Sequence, residues 1–459
     1  MNPTLDRRDF IKRSTLAGLG LGLSGSLASL LKAENVSPAS AAAPAVGQSG
    51  SANNRVRLAV VGTNGRGLAH IDALGGIPNT EVVYVCDVED GALAKGMDAA
   101  KKANFTAAKA LKDFRKALED PSIDAITVAT PDHWHAPMAI MALAAGKHVY
   151  LEKPCSQNPY EGELLLQAIA KHKKLVQMGN QRRSFPNMHE AMKAIHEGAI
   201  GKAYYARCWY ANDRVSIGRG KQVPVPANLD YDLWQGPAPR RPYMSNLIHY
   251  NWHWFWHWGT GEALNNGTHE LDVCRWALNV RYPKKVTSTG GRYAFTDDWE
   301  TPDTQVIGWE YDGKAISWEG RSCNGAHDNG LGRGSLIYGT EGTALLDGNS
   351  YTLYDAKRRV VKEVKEKAEA EGTNTLSASG IRLDRLHVEN FISAIRDGVP
   401  LNSPIEEGSV SVTTLHLGNI AQRTNSTLHC DPQSGHILNN EAAMKLWRRE
   451  YEPGWEPAI

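Results

Sequence analysis

Between residues 55 and 178, short apolar runs rich in β-branched residues alternate with helical stretches. Val56-Arg57-Leu58-Ala59-Val60-Val61 is followed by Glu81-Val82-Val83-Tyr84-Val85-Cys86-Asp87 and Asp124-Ala125-Ile126-Thr127-Val128-Ala129-Thr130. His148-Val149-Tyr150-Leu151 and Leu175-Val176-Gln177-Met178 complete the series, each with the length and composition of a buried parallel strand. Helical patterns start at Leu68 and cover residues 136–145 and 160–172. This alternation predicts an α/β fold with a doubly wound parallel sheet, whose ligand crevice opens at the carboxyl ends of the strands. Thr130, Pro131, His133, His135, Glu152 and Lys153 all fall at such ends.

Past residue 178 the pattern changes. Residues 202–210, 304–311, 315–321 and 335–338 read as strands separated by turn-rich loops, without long intervening helices. Residues 387–397 and 406–424 read as helices. The expected organisation is therefore a parallel-sheet domain over 55–178 and a second domain over 179–459.

The first 54 residues follow neither pattern. Arg7-Arg8-Asp9-Phe10-Ile11-Lys12 precedes a weakly hydrophobic, Gly- and Ser-rich stretch over 16–31, then an Ala/Ser/Pro-rich segment over 37–47. The paired arginines, the mild apolar stretch and the small residues resemble a twin-arginine export signal followed by a flexible linker. Gly18, Gly20, Gly22 and Gly25 argue against a stable membrane anchor. The expectation is a protein exported to the periplasm or beyond by the twin-arginine machinery. That route carries folded proteins, so a cofactor would be loaded before export.

Charge narrows the partners. With 51 Lys+Arg against 50 Asp+Glu, no global field favours nucleic acid or a membrane surface. The six cysteines form no CxxC pair and read as buried thiols rather than a disulfide framework or a metal site.

The loop after the first strand, Gly62-Thr63-Asn64-Gly65-Arg66-Gly67, has the glycines that a tight turn and a close backbone approach to pyrophosphate require, and it opens a helix. Asn64 stands where a glycine is usual, and it tolerates left-handed dihedrals better than most residues. Asp87 ends the second strand 20 residues after Gly67. A carboxylate there accepts ribose hydroxyls and repels a 2′-phosphate, which predicts NAD rather than NADP. Thr130, Pro131, His135, Glu152 and Lys153 are further candidates to border that cofactor. Glu152-Lys153-Pro154 is the sharpest local signal, because oxidising an alcohol with NAD needs a base to take the hydroxyl proton. An amine serves once burial and nearby cations lower its pKa, and Pro154 holds the Lys153 backbone extended.

These motifs occur in order with Thr130-Pro131-Asp132-His133-Trp134-His135 and with Gly259-Thr260-Gly261 … Gly267-Thr268-His269-Glu270-Leu271-Asp272. The combination resembles the glucose–fructose oxidoreductase / inositol dehydrogenase / MocA family from about Arg55 to the C-terminus. The resemblance implies a C-terminal α/β domain whose large mixed open sheet covers the nicotinamide and makes homo-oligomer contacts. It also implies Lys153 as the proton-transferring residue, hydride transfer at nicotinamide C4, and His269 beside the substrate hydroxyl. Where redox members of the family carry an aspartate four residues before the histidine, this chain has Asn265, which orients a hydroxyl but accepts no proton. The i, i+4 spacing predicts Asn265 and His269 on one face of one helix. The loop over 228–239 is similar to one in exported members.

Tyr250-Asn251-Trp252-His253-Trp254-Phe255-Trp256-His257-Trp258 leads into the glycine motif. Its tryptophans alternate strictly, which predicts an extended strand with one face in the core. The other face is a candidate sugar-stacking platform, and Trp256 is a candidate substrate residue of the run. His249, His253 and His257 recur every fourth residue but lack acidic or cysteine partners, and no metal is expected. Gln181 and Arg182, after the last parallel strand, would join Asn265 and His269 in meeting a carbohydrate's hydroxyls. The expected activity is redox chemistry at a ring hydroxyl of a sugar, glycoside or cyclitol. A glycoside hydrolase working through transient oxidation and elimination, and a silent NAD-holding binding protein, are the alternatives.

Overall fold

The structure, a computed structural model, describes residues 55–366 and 378–459. The expected export signal and linker lie outside the described residues.

The first strand, β1 (Val56–Val61), runs into α1 (Arg66–Gly75); β2 (Thr80–Cys86), α2 (Asp90–Lys102), β3 (Lys109–Leu111) and α3 (Arg115–Leu118) follow. Next come β4 (Ala125–Val128), α4 (Asp132–Ala144), β5 (His148–Leu151), α5 (Pro159–His172) and β6 (Val176–Met178). The six strands form one sheet in the order β3-β2-β1-β4-β5-β6, and every pairing is parallel. Its central strands are mostly apolar, with Leu58, Val60, Ile126, Val149 and Leu151 fully buried, because helices cover both faces, while the edge strand β3 is largely exposed. The strand order reverses between β1 and β4, which opens a crevice above their carboxyl ends.

Beyond this sheet lie α6 (Pro186–His196), β7 (Ala203–Ala211), α7 (Tyr231–Gln235), α8 (Gly261–Asn265) and α9 (Gly267–Leu278). Seven strands follow: β8 (Lys285–Gly291), β9 (Thr304–Tyr311), β10 (Lys314–Arg321), β11 (Arg333–Gly339), β12 (Gly342–Asp347), β13 (Ser350–Asp355) and β14 (Val360–Val364). The chain ends with α10 (Ala378–Asp397), α11 (Ile405–Thr424), β15 (Leu428–Cys430), β16 (Ile437–Leu438) and α12 (Glu441–Met444). The second sheet has ten strands, ordered β14-β13-β12-β11-β7-β10-β9-β8-β15-β16. It is mixed, since β7 and β10 pair in parallel while their other neighbours run antiparallel. Burial alternates residue by residue along β9 and β12, so one face packs on helices and the other does not. The indole of Trp309, for example, donates to the Thr414 carbonyl of α11 at 2.9 Å.

Helix α10 returns to the first sheet. Val388, Phe391 and Ile392 share a core with Val56, Leu58, Val60 and Ile71. This return brings Asp384 within 2.6 Å of Arg66 at the start of α1.

Two local expectations are corrected. The tryptophan run is not a strand: residues 251–254 form a 3₁₀ turn and 255–258 continue in turns. Its alternation reflects aromatic contacts on several sides. Trp254 stacks on Trp299 at 4.0 Å, Trp252 on His253 at 3.5 Å, and Trp258 meets Trp234 at 5.0 Å. The turn closes tightly at Gly259, where a Cβ would lie 2.6 Å from the His253 backbone. Nor do Asn265 and His269 share one helix, because a turn at Asn266 separates α8 from α9. Asn266 donates its N–H to the Glu262 carbonyl and accepts from the His269 N–H, which completes the break.

Candidate active site

One cavity of about 480 Å³ occupies the crevice. Gly62, Asn64, Gly65, Arg66, Asp87, Thr130, Pro131, His135, Glu152, Lys153, Gln181, Asn265 and His269 all line it. The glycine-rich loop and the Glu152-Lys153 pair are thus brought to a single space.

The loop is shaped for a ligand that approaches the backbone. Gly62 has φ +86°, and a Cβ there would sit 2.5 Å from the Ala129 carbonyl oxygen. A Cβ on Gly67, which packs beneath the loop, would strike the Gly62 carbonyl at 2.1 Å, whereas Gly65 faces open space. Among the described residues, no side chain caps the N-terminus of α1. Its first N–H groups are therefore left for an anion. Asp87 ends β2 and accepts from the Thr63 N–H at 2.6 Å and the Glu89 N–H at 3.1 Å. Burial raises its carboxyl despite these bonds. Arg66 Nη2 is buried without a hydrogen-bond partner among the described residues, while Nε and Nη1 bind Glu152 and Asp384 at 2.9 and 2.6 Å. An open glycine cradle, uncapped amides, an orphaned guanidinium nitrogen and a carboxylate at the second strand end fit a dinucleotide.

Glu152 follows β5 and is almost completely buried. Besides Arg66, it accepts from Gln181 Nε2 at 3.2 Å and from the Lys153 N–H at 3.3 Å, and its Oε1 lies 3.1 Å from His70 Nε2. Burial alone would raise its carboxyl, but Arg66 and His70 hold it well below the usual range. Beside it, the Lys153 ammonium donates to the Asn265 backbone carbonyl, and to Asn265 Oδ1 at 3.2 Å. Burial pushes this amine below its ordinary value. Glu152 and Asp132 oppose that shift, and Arg66 and Arg333 add to it. Burial first, and then the Lys153 charge, hold His269 well below its ordinary value, so its imidazole is neutral near pH 7. His135 sits between the Thr130 and Pro154 carbonyls, at 2.8 and 2.5 Å.

Two expected substrate residues lie elsewhere. Arg182 is turned away into a buried ion pair with Glu270 at 2.8 Å and does not line the cavity. Trp256 borders a separate recess with Arg240, Arg241 and Arg449, and its ring carries Arg423 at 4.7 Å. In its place, Tyr250, Trp252 and His253 of the same run face the cavity, because the 3₁₀ turn rotates them there. Tyr210, Asn212 and Arg214 at the end of β7, and Arg333 at the start of β11, complete that wall. Leu229, Leu233 and Trp234 of the 228–239 loop close another side, and this apolar cluster was the signal that the loop packs over the crevice. His133 is packed between Trp234 and Trp258 and does not line the cavity.

Among the described residues, no group of His, Cys, Asp or Glu is placed to hold a metal ion, and no helix is long and apolar enough to cross a membrane. All six cysteines are free, five of them buried and Cys323 partly so.

Residues 56–180 match an oxidoreductase family with an NAD-binding Rossmann fold, and residues 205–290 match that family's C-terminal alpha/beta domain. Fold, crevice and matches together define an NAD-dependent oxidoreductase. Both stretches match models of the glucose–fructose oxidoreductase / inositol dehydrogenase / MocA family. It is similar to the alpha-N-acetylgalactosaminidase of Tannerella forsythia, 24% identical over 86% of this chain and 89% of that one. Inositol 2-dehydrogenase 1 of Saccharopolyspora erythraea is 33% identical, over 35% of this chain and 47% of its own length. A solved levoglucosan dehydrogenase, in complex with NADH and levoglucosan, superposes with a TM-score of 0.64 at 20% identity, covering 82% of this chain and 99% of the other.

Proposed function

We propose that this chain is an exported NAD-dependent oxidoreductase acting on a ring hydroxyl of a sugar, glycoside or cyclitol, with Lys153 as the proton-transferring residue. The observation that carries this reading is the single cavity shared by the Gly62–Gly67 loop, Asp87, Lys153, Asn265 and His269. Gly62, Gly65 and the N-terminus of α1 admit the pyrophosphate, and Asp87 accepts the adenosine ribose hydroxyls. Bound NAD supplies the hydride acceptor or donor. Lys153, lowered by burial, takes the hydroxyl proton as the carbon–hydrogen bond breaks and returns it in the reverse direction. The neutral His269 imidazole hydrogen-bonds the reacting hydroxyl, and Gln181 holds a neighbouring one. Tyr250 and Trp252 border the sugar's apolar C–H faces. The paired Arg7 and Arg8 ahead of a mild apolar stretch support twin-arginine export to the periplasm, with the cofactor loaded beforehand. The family's open-sheet domain supports a homo-oligomer.

The test is a panel of sugars, cyclitols and glycosides assayed by NADH absorbance on the protein and on Lys153→Ala. Turnover of a panel member should fall by about 10²- to 10⁴-fold in the variant, the usual contribution of a general base, while NAD binding persists. Equal turnover in both proteins would sink the assignment of Lys153.

A second reading has its own support, since the alpha-N-acetylgalactosaminidase is similar over 86% of this chain. In that reading the oxidation is transient, the aglycone is eliminated and the product is reduced again, so the reaction is redox-neutral. Aglycone released from aryl glycosides without net NADH selects it. NADH formed in step with substrate loss selects the first reading.

A further inference from the structure

Asn265 leaves a question open. An asparagine can present either its oxygen or its NH₂ to Lys153, and only the oxygen is useful to an amine that donates. The neighbouring contacts decide which. Glu262 Oε1 lies 3.3 Å from Asn265 Nδ2 and also accepts from Asn266 Nδ2. A carboxylate accepts only, so it draws the NH₂ edge to itself and leaves Oδ1 facing Lys153 Nζ at 3.2 Å. Glu262 is in turn fixed from behind. Arg214 Nε donates to its Oε2 at 2.7 Å and the Ser322 hydroxyl at 3.2 Å, in a site where Glu262 is 3% exposed. Arg214 is itself braced over the rings of Trp254 at 4.8 Å and Tyr250 at 5.3 Å.

We infer that Glu262 is a positioning residue for proton transfer: it locks the Asn265 amide so that two of the Lys153 amine's three substituent positions are held by Asn265 oxygens and the third is left for the substrate hydroxyl. Neutral, the amine has its lone pair at that third position; protonated, it has a hydrogen there, so the same geometry serves proton uptake and return. The inference rests on the reading of Lys153 as the base. It also explains how this chain works with an amide at position 265. An aspartate would accept through either oxygen and need no orienting partner, whereas an asparagine needs one, and Glu262 lies three residues upstream to supply it.

The test is a double-mutant cycle of Glu262→Gln and Asn265→Asp, read as kcat against pH in the oxidation direction, with NAD binding and thermal melting as folding controls. With Asn265 present, Glu262→Gln frees the amide to flip and should lower kcat at least about tenfold, the cost of one misdirected hydrogen bond. In the Asn265→Asp background there is no amide to orient, and Glu262→Gln instead removes a carboxylate about 3.3 Å from the introduced one, so the same substitution should not lower kcat. Asn265→Asp alone adds a negative charge to a Lys153 already faced by Glu152, Asp132, Arg66, Arg333 and His269. It should move the rising limb of the profile to higher pH by about one unit or more.

Equal losses from Glu262→Gln in both backgrounds would overturn the inference, because a purely structural role is blind to the residue at 265. If Glu262→Gln fails to fold, the limb of Asn265→Asp decides, and an unmoved limb overturns it. Lys153→Ala separates the two levels: full activity there removes the base reading itself, whereas an inactive Lys153→Ala beside an additive cycle removes only the role of Glu262.

Discussion

Replacing Glu152 by glutamine should cost stability at neutral pH and cost less as the solution is acidified. Glu152 is 4% exposed and is met by the Arg66 Nε–H, the Gln181 amide, the Lys153 N–H and the His70 ring. A glutamine of the same shape keeps one acceptor but turns an NH₂ toward a ring of donors, and it leaves Arg66 with one anion instead of two. Breaking a buried pair costs about 3–5 kcal/mol. Asp384 still holds Arg66 at 2.6 Å, so the low end, about 3 kcal/mol, applies. At about 2.1 cal/mol/K of unfolding entropy per residue over roughly 400 residues, that lowers Tm by roughly 4 °C. The folded carboxyl lies well below its ordinary value, so its contribution is complete above the unfolded value of about 4.3 and drains away as pH falls toward the folded one. Scanning calorimetry of both proteins at pH 7 and at successive steps below pH 4 should therefore show a gap that closes. A gap absent at pH 7, or constant down to pH 3, would refute a net favourable Glu152 charge.

Gly62→Ala places a methyl 2.5 Å from the Ala129 carbonyl at φ +86°, so it should destabilise by about 1–3 kcal/mol and weaken NAD binding, both read from melts with and without cofactor. Asp87→Asn removes a charge-assisted acceptor; the ratio of NADP to NAD dissociation constants should shift toward NADP by about tenfold in a fluorescence titration. Removing the His269 ring by His269→Ala should lower kcat/KM by about 10²-fold with the NAD dissociation constant unchanged, in steady-state kinetics beside a binding titration. Trp252→Ala should raise KM for the sugar about tenfold or more, the loss of one stacking ring, whereas Trp256→Ala, outside the cavity, should leave it within about twofold.

The central strands of the parallel half were legible because burial on both faces gives them short, mostly apolar runs, as in Ala125-Ile126-Thr127-Val128, whereas the exposed edge strand β3, Lys109-Ala110-Leu111, carries no such run. The second sheet was harder to see. Its strands carry one exposed face, and β14, Val360-Val361-Lys362-Glu363-Val364, is open to solvent along most of its length. Segments such as Lys285-Val286-Thr287-Ser288-Thr289-Gly290-Gly291 have too few apolar residues to separate a strand from a loop. The cofactor end of the site could be read from the chain because a backbone-tight loop demands glycine at fixed spacing. The substrate end could not. Tyr210 and Arg214, Tyr250, and Arg333 come from three separate stretches that only tertiary packing unites. In the tryptophan run, a period of two arose from ring contacts in a tight turn, so periodicity set Trp252 and Trp256 on one face where the structure turns Trp252 toward the cavity and Trp256 away from it.

The crevice is spanned by alternating charge and dipole: Asp384, Arg66, Glu152 and Lys153, then the Asn265 amide, Glu262 and Arg214. Its members come from α10, α1, the β5 end, α8 and the β7 end, so the helix that the chain sends back over the parallel sheet anchors the line at one edge and β7 of the second sheet at the other. Each internal link is held on both sides, and this explains how so many buried charges coexist without stranding one of them. It also explains how an amine stays reactive between two carboxylates. Glu152 binds Arg66 at 2.9 Å and Glu262 binds Arg214 at 2.7 Å, and burial is the largest influence on the Lys153 amine, outweighing the opposing pull of Glu152 and Asp132. On the proposed reading of Lys153, an amine lowered in this way gives up its proton more readily than an ordinary lysine. Net oxidation of a hydroxyl and a redox-neutral cleavage cycle would both draw on that property, so on the proposed reading the choice between them lies with the cavity wall around Tyr250 and Trp252.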